Sequence, residues 1–245
     1  MPIFDIHTYL EGYALPGINA DAGQLAQLLQ ARGIERAILL STRAIQADPL
    51  SGNRILNAML DDQPRLYGCL VAHLNRVDAS LESIRDLLGS RRFAGTLLTS
   101  TDWNQPLHPL IADEILNACR RYQKPIFLPA PNAACVEIAL KLAIKYNMHK
   151  FVLLGMGGRD WRAGIAAAQQ SVNISLETSG VLDRVKIPAA VGQIGAHRVL
   201  FGSGVPHLDP VAALGLIDDS DLSSLDRRRI LNDNAAKLFR IDEAD

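Results

Sequence analysis

The stretch Ile3-Phe4-Asp5-Ile6-His7-Thr8-Tyr9-Leu10-Glu11-Gly12 decides how this chain is read. It is a short apolar run that ends in a polar cluster and a glycine, the pattern of a strand entering a turn. Side chains alternate along a strand, so Asp5, His7 and Tyr9 are expected on one face and Phe4, Ile6 and Thr8 on the other. His-x-Tyr stands here where His-x-His would chelate a metal. Whether the other parts of such a site exist depends on the rest of the chain.

Outward from that strand, apolar β-branched runs alternate with amphipathic stretches. Further strands are expected at residues 36–41, 66–74, 94–100, 126–129, 151–154, 172–178 and 198–202. Helices are expected at 21–31, 53–61, 81–88, 111–122, 136–146, 161–170, 181–191 and 224–239. Strands that alternate with helices imply a parallel sheet. The chain has 245 residues, close to the roughly 250 of a (β/α)8 barrel. The expected fold is therefore α/β, a (β/α)8 TIM barrel forming a single domain over residues 1–245. An open doubly wound sheet is the runner-up, but no Gly-x-Gly-x-x-Gly follows the first strand.

Composition narrows the function classes. Lys plus Arg is 25 and Asp plus Glu 26, so the formal net charge of −1 argues against a nucleic-acid or anionic-membrane partner. No apolar run is long enough to span a bilayer. No basic and then apolar leader precedes the first strand. Three scattered cysteines, Cys69, Cys119 and Cys135, fit neither a disulfide framework nor a metal knuckle, and a reducing cytoplasm is the simplest setting.

In a barrel, chemistry gathers at the C-terminal ends of the strands. The stretches 5–12, 41–43, 73–76, 99–103, 129–132, 155–160, 177–180 and 203–209 are therefore the candidates. Five of the motifs resemble the amidohydrolase superfamily, in its amidohydrolase-related branch of metal-dependent hydrolases, hydratases and aromatic decarboxylases. The first strand resembles that family's Asp-x-His-x-His. Lys124-Pro125-Ile126-Phe127-Leu128-Pro129 is similar to a Pro-Val-x-x-His strand five. Lys150-Phe151-Val152-Leu153-Leu154-Gly155-Met156-Gly157-Gly158 is similar to Lys-Phe-x-x-x-His-x-Gly-Gly. Arg198-Val199-Leu200-Phe201-Gly202-Ser203-Gly204-Val205-Pro206 is similar to Arg-Val-Leu-Phe-Gly-Ser-Asp-x-Pro. Ile230-Leu231-Asn232-Asp233-Asn234-Ala235-Ala236-Lys237-Leu238-Phe239 resembles the family's closing helix.

The resemblance implies a divalent metal held at positions 7, 9, 129, 155 and 204. Those positions are His7, Tyr9, Pro129, Gly155 and Gly204. Zinc takes about three or four N, O or S ligands. Proline and glycine side chains offer none, and a tyrosine with a pKa near ~10 stays protonated. No metal and no other cofactor is therefore expected. A replacement site on His7 and His73 would be short of a third ligand.

The remaining candidates are read from residue chemistry. His7 is expected as acid/base, supported by Asp5 and by Glu177 at the end of strand seven. The bland alternative for His7 is an imidazole hydrogen-bonded to Asp5 or Tyr9. Tyr9, His73, Arg159 and Gly204 are expected to bind substrate. A guanidinium at 159 or 162 suits a carboxylate, although a solvated surface pair is the ordinary use. The backbone N–H groups of Gly202-Ser203-Gly204 are expected to face an anion. His108, His149, His197 and His207 show no clustering and are expected on surfaces or loops. The expected partner is a small-molecule substrate or ligand, with anions among the candidates. The expected function is a metal-independent hydrolase or lyase on a small organic acid. The alternative is a non-catalytic homologue that binds a ligand, a second copy or a partner subunit.

Overall fold

The structure, a computed structural model, describes residues 1–10 and 22–241. The expected turn at Glu11-Gly12 and the first residue of the expected 21–31 helix lie outside the described residues. The strands are β1 (Ile3–Leu10), β2 (Ile34–Ser41), β3 (Leu66–His73), β4 (Phe93–Thr99), β5 (Ile126–Pro129), β6 (Phe151–Leu154), β7 (Ile174–Glu177) and β8 (Val199–Leu200). All eight are parallel and stand in sequence order, each paired with the next. The ring closes just past β8. Ile6 N–H donates to Phe201 O at 3.0 Å, Gly204 N–H to His7 O at 2.8 Å and Tyr9 N–H to Val205 O at 2.7 Å. The fold is the expected (β/α)8 barrel.

The connecting helices are α1 (Ala22–Ala31), α2 (Thr42–Gln46), α3 (Pro49–Leu60), α4 (Val77–Leu87), α5 (Pro109–Cys119), α6 (Ala133–Lys145), α7 (Trp161–Gln170), α8 (Lys186–Ile194) and α9 (Pro210–Asp218). Local chemistry starts several of them. Asp48 caps α3, accepting from Leu50 and Ser51 N–H, with Pro49 in the first turn. Asn132 caps α6 and Asp209 caps α9 in the same manner. Each cap satisfies N–H groups that have no partner inside the helix.

Alternation along the strands divides the core in two. Ile38 and Leu40 of β2 point into the barrel, with Cys69 and Val71 of β3, Phe127 of β5 and Val152 of β6. Ala37, Leu39, Leu70 and Ala72 point outward against the helices. The C-terminal segment closes the inner layer. The expected 224–239 helix is instead α10 (Ser224–Arg228) and α11 (Asn234–Phe239), joined by a wider turn at Arg229–Asp233. Phe239 stacks on Phe127 with ring centroids 5.7 Å apart and lies 6.2 Å from Phe4. Leu225, expected on the apolar side, is exposed.

Two departures matter at the mouth. The β1–β2 register slips between Asp5 and Thr8, a bulge that reverses the parity of the strand. Tyr9 therefore joins Phe4 and Ile6 in the inner layer, although simple alternation puts them on opposite faces. Strand eight is shorter than expected, because Phe201 N–H turns to Ile230 O at 3.1 Å while its carbonyl takes Ile6 N–H.

Candidate active site

β1 and β7 end together at the C-terminal mouth. Glu177 is the last residue of β7 and is fully buried, as is almost all of His7. His7 Nδ1 lies 3.2 Å from Glu177 Oε2 and 2.8 Å from Ser179 Oγ. Its Nε2 lies 2.7 Å from the Tyr9 hydroxyl. The partners fix the tautomer. Ser179 donates its hydroxyl to Glu177 Oε2 at 2.8 Å, so its oxygen accepts from Nδ1–H. A carboxylate oxygen beside the same nitrogen also requires a proton there. In the neutral ring Nε2 then has a lone pair and accepts the Tyr9 O–H.

Glu177 is held by backbone as well. Oε2 accepts Gly155 N–H at 3.0 Å and Oε1 accepts Ser179 N–H at 2.5 Å. A carboxylate so bound stays beside His7, and the result is a hydrogen-bonded chain Glu177–His7–Tyr9. Its end opens on a cavity of about 390 Å3 lined by His7, Tyr9, Trp103, Pro129, Leu154 and Gly204, with Gly155, Ser179 and His207 among the other walls.

Asp5 takes a different part. Its carboxylate is fully buried and does not line the cavity. Oδ1 accepts His7 N–H at 3.1 Å and Ser203 N–H at 3.0 Å, so it joins β1 to the segment after β8. Burial pushes its pKa up to about 6 despite those hydrogen bonds, and the nearby Glu177 charge adds to the rise. Asp5 thus reaches His7 through the backbone and not through the imidazole.

Arg159 is not at the cavity. Its side chain is 81% exposed and lies 3.7 Å from Asp160. Met156, Gly157 and Gly158 all have positive φ. That run folds the loop so that Gly158 packs on Pro131 O, where a Cβ would approach to 2.3 Å, and Arg159 faces water. Arg162 lies over the Trp161 ring. The expected anion nest also fails. Gly202 N–H goes to Thr178 Oγ1 just past β7, and Ser203 N–H to Asp5 and Gly204 N–H to His7 O on β1, so joining β8 to its two neighbours uses all three. Gly204 does line the cavity, with φ of +74°.

His73 ends β3 but lines a separate cavity beyond Trp103. It is not brought together with His7. His207, expected to be unclustered, packs on Tyr9 with ring centroids 4.7 Å apart. Burial lowers its pKa, and so does its nearness to His7. Ser179 was not singled out in the sequence either. For both, the readable signal is position just past a strand end.

The amidohydrolase family model matches residues 18–241. The chain belongs to the amidohydrolase family. A search of curated proteins found no match. Among solved structures, a 2,6-dihydroxybenzoate decarboxylase from Rhizobium is 18% identical, with 98% of this chain and 99% of that one covered and a TM-score of 0.77. A dihydroxybenzoic acid decarboxylase from Polaromonas sp. JS666, with bound manganese and the inhibitor 2-nitroresorcinol, is 17% identical over 98% and 97%, at 0.77. An amidohydrolase from Burkholderia multivorans with bound zinc is 15% identical over 99% and 100%, also at 0.77. At such identities the likeness carries the fold alone.

The metal that the family implies can be tested against the side chains of this amidohydrolase-family barrel. All five implied positions, 7, 9, 129, 155 and 204, line the one cavity. Pro129, Gly155 and Gly204 bring no side-chain donor, and both ring nitrogens of His7 are engaged. Among the described residues no three His, Cys, Asp or Glu converge on a point that would hold an ion. The side chains present do not make the family's donor set.

Proposed function

We propose that this barrel is a hydrolase or lyase acting on a small organic acid, with proton transfer along Glu177–His7–Tyr9 in place of a divalent metal. The single observation that supports this is the unbroken relay. Nδ1–H of His7 points at Ser179 and Glu177, and Nε2 accepts from Tyr9 at 2.7 Å. When a substrate hydroxyl or a water gives its proton to the Tyr9 oxygen, Tyr9 passes its own proton to His7 Nε2. The imidazolium formed is balanced by the Glu177 carboxylate. The reverse transfer returns a proton to a carbon or a leaving group. His207 packs on the Tyr9 ring, and the burial that lowers its pKa disfavours a second positive charge beside the relay.

The cavity walls suit a flat or short apolar body, with Trp103, Pro129, Leu154 and Leu208 around few polar groups. Decarboxylases of hydroxybenzoates among the structural neighbours make aromatic acids the first substrates to try. A cytoplasmic setting is part of this reading, as is one barrel domain over residues 1–245. No described helix is long and apolar enough to cross a membrane.

A second reading is a non-catalytic binding protein, and the donor-free positions Pro129, Gly155 and Gly204 favour it. One experiment separates the two. Hydroxybenzoates and dicarboxylic acids are screened for carbon dioxide release and for hydrolysis, with wild type, His7→Asn and Tyr9→Phe. Turnover should fall about 10²–10⁴-fold in each variant, the range for losing a general acid/base. Equal turnover in the variants, or turnover only after manganese or zinc is added, would sink the relay. No turnover with any acid, together with saturable binding, would leave the binding protein.

A further inference from the structure

A second cavity of about 510 Å3 opens beside the first at the same end of the barrel, and Trp103 lines both. Its other polar walls are Gln46, His73, Asn75, Arg76 and Thr101. No Asp or Glu lines it among the described residues. Here the barrel gathers donors.

His73 is 7% exposed, so it is an almost wholly buried polar side chain on a cavity wall. Asn75 N–H donates to its Nδ1 at 3.1 Å. That nitrogen therefore has the lone pair, and Nε2 carries the proton. No protein group among the described residues accepts that Nε2–H. That N–H is left for a ligand in the cavity to accept. Arg76 is exposed, lines the cavity and makes no ion pair among the described residues. It stands at the N-cap of α4 with no side-chain cap there, so the positive end of that helix lies on the same side. Burial, and then the Arg76 charge, hold the His73 imidazole below its usual pKa. The ring thus stays a neutral one-proton donor that does not repel the guanidinium.

We propose that this second cavity is an oxyanion subsite in which the Arg76 guanidinium and the His73 Nε2–H bind a carboxylate or phosphate group. Oxyanions match both donors: a guanidinium offers paired N–H groups, and a single imidazole N–H adds a third contact. The first cavity lacks any Lys or Arg on its walls among the described residues. A ligand that lies along Trp103 would therefore leave its anionic group at Arg76 and its apolar body at His7. The binding itself stands apart from the relay, since neither Arg76 nor His73 touches Glu177, His7 or Tyr9.

Trp103 is one of two tryptophans, so in a Trp161→Phe background its fluorescence reports on both cavities. Inorganic phosphate and acetate are titrated separately at constant ionic strength. A saturable change is expected with at least one, and the tighter of the two names the oxyanion. Arg76→Gln should weaken it about tenfold or more, the scale of one charge-assisted hydrogen bond. His73→Asn keeps an acceptor for Asn75 N–H but loses the ε donor, and should weaken binding too. His73→Gln, which keeps an N–H near that place, should retain more affinity than His73→Asn. His7→Asn should leave affinity unchanged. No saturable change, or equal affinity in wild type and Arg76→Gln, would overturn the subsite. Binding lost in His7→Asn but kept in Arg76→Gln would also overturn it, and would leave the relay reading intact.

Discussion

A Cβ on Gly202 would sit 1.9 Å from Glu177 Oε1 and 2.8 Å from His7 Cβ. The glycine is needed there for space, since any side chain would push the carboxylate off the imidazole. Gly202→Ala should cost on the order of 1–3 kcal/mol, as overpacking of a closed site does. It should also free His7 from its Nδ1–H tautomer, which imidazole 15N shifts would register. Unchanged shifts would mean that Glu177 does not hold the ring. Asp5 is the second residue with a measurable signature. Its pKa lies at about 6 when folded, against an ordinary 3.8. The native state therefore binds the extra proton. The stabilising contribution is complete below the ordinary value and is lost as pH rises through about 6, amounting to about 3 kcal/mol by linkage. Asp5→Asn cannot titrate, so its unfolding free energy should gain on wild type between pH 4 and 7. Parallel stability–pH curves for the two proteins would contradict the raised pKa. At this scale the sequence showed which polar residues end strands, and so it found His7, Glu177 and Tyr9. It did not show that Asp5 and the 202–204 N–H groups are used in joining β8 to β7 and β1. It also did not show that a run of positive φ turns Arg159 outward. Those outcomes depend on backbone partners far apart in sequence.

Strands and most helices were legible because burial on one or both faces leaves a period of two or of 3.6 residues in the sequence. The elements that escaped lack such a period. α2 is five residues long, too short for one. α9 is nearly all apolar from Val211 to Leu216, so it has no polar face to read; only the Asp209-Pro210 start was a signal. The bulge in β1 is invisible for a related reason: composition does not mark it, yet it turns Tyr9 into the layer of Phe4 and Ile6. The tail divides because its two halves serve different layers. Ile230 and Leu231 pack in the outer layer, and Ala235 and Phe239 in the inner one. Phe239 then acts as a plug against Phe127 and Phe4. Phe239→Ala should cost about 3–5 kcal/mol, the range for removing a buried ring. Phe239→Leu should restore a good part of it. Chemical denaturation checks both, and a loss under 1 kcal/mol for the alanine variant would mean that the barrel floor is closed by other groups. The shift should appear in stability without a change in the His7 tautomer, because the floor and the mouth lie at opposite ends of the strands.

The whole barrel raises the question of the ion. Its neighbours among the solved structures include a manganese-bound decarboxylase and a zinc-bound amidohydrolase, and the five positions where the family resemblance implies a metal line one cavity. A divalent ion held there would bind the native state and not the unfolded chain. At a concentration 100-fold above its Kd it would stabilise the fold by roughly 2.7 kcal/mol. For a chain of this length each kilocalorie moves Tm by about 2–4 °C, so a working site would raise Tm by roughly 5–10 °C. Two counts argue against that here. Three of the five positions have no side-chain donor atom, and the one retained histidine already has Nε2 on Tyr9 and Nδ1 on Glu177 and Ser179. Freeing His7 for an ion would break those bonds and leave Glu177 without its imidazole partner. We therefore expect EDTA, zinc chloride and manganese chloride each to leave Tm within experimental error. Elemental analysis of protein purified without added metal should give far less than one ion per chain. Near-stoichiometric manganese or zinc that disappears in His7→Ala, with a matching fall in Tm, would defeat this reading and return the barrel to metal chemistry. Metal that persists in His7→Ala would instead mark an unrelated surface site and leave the relay untouched.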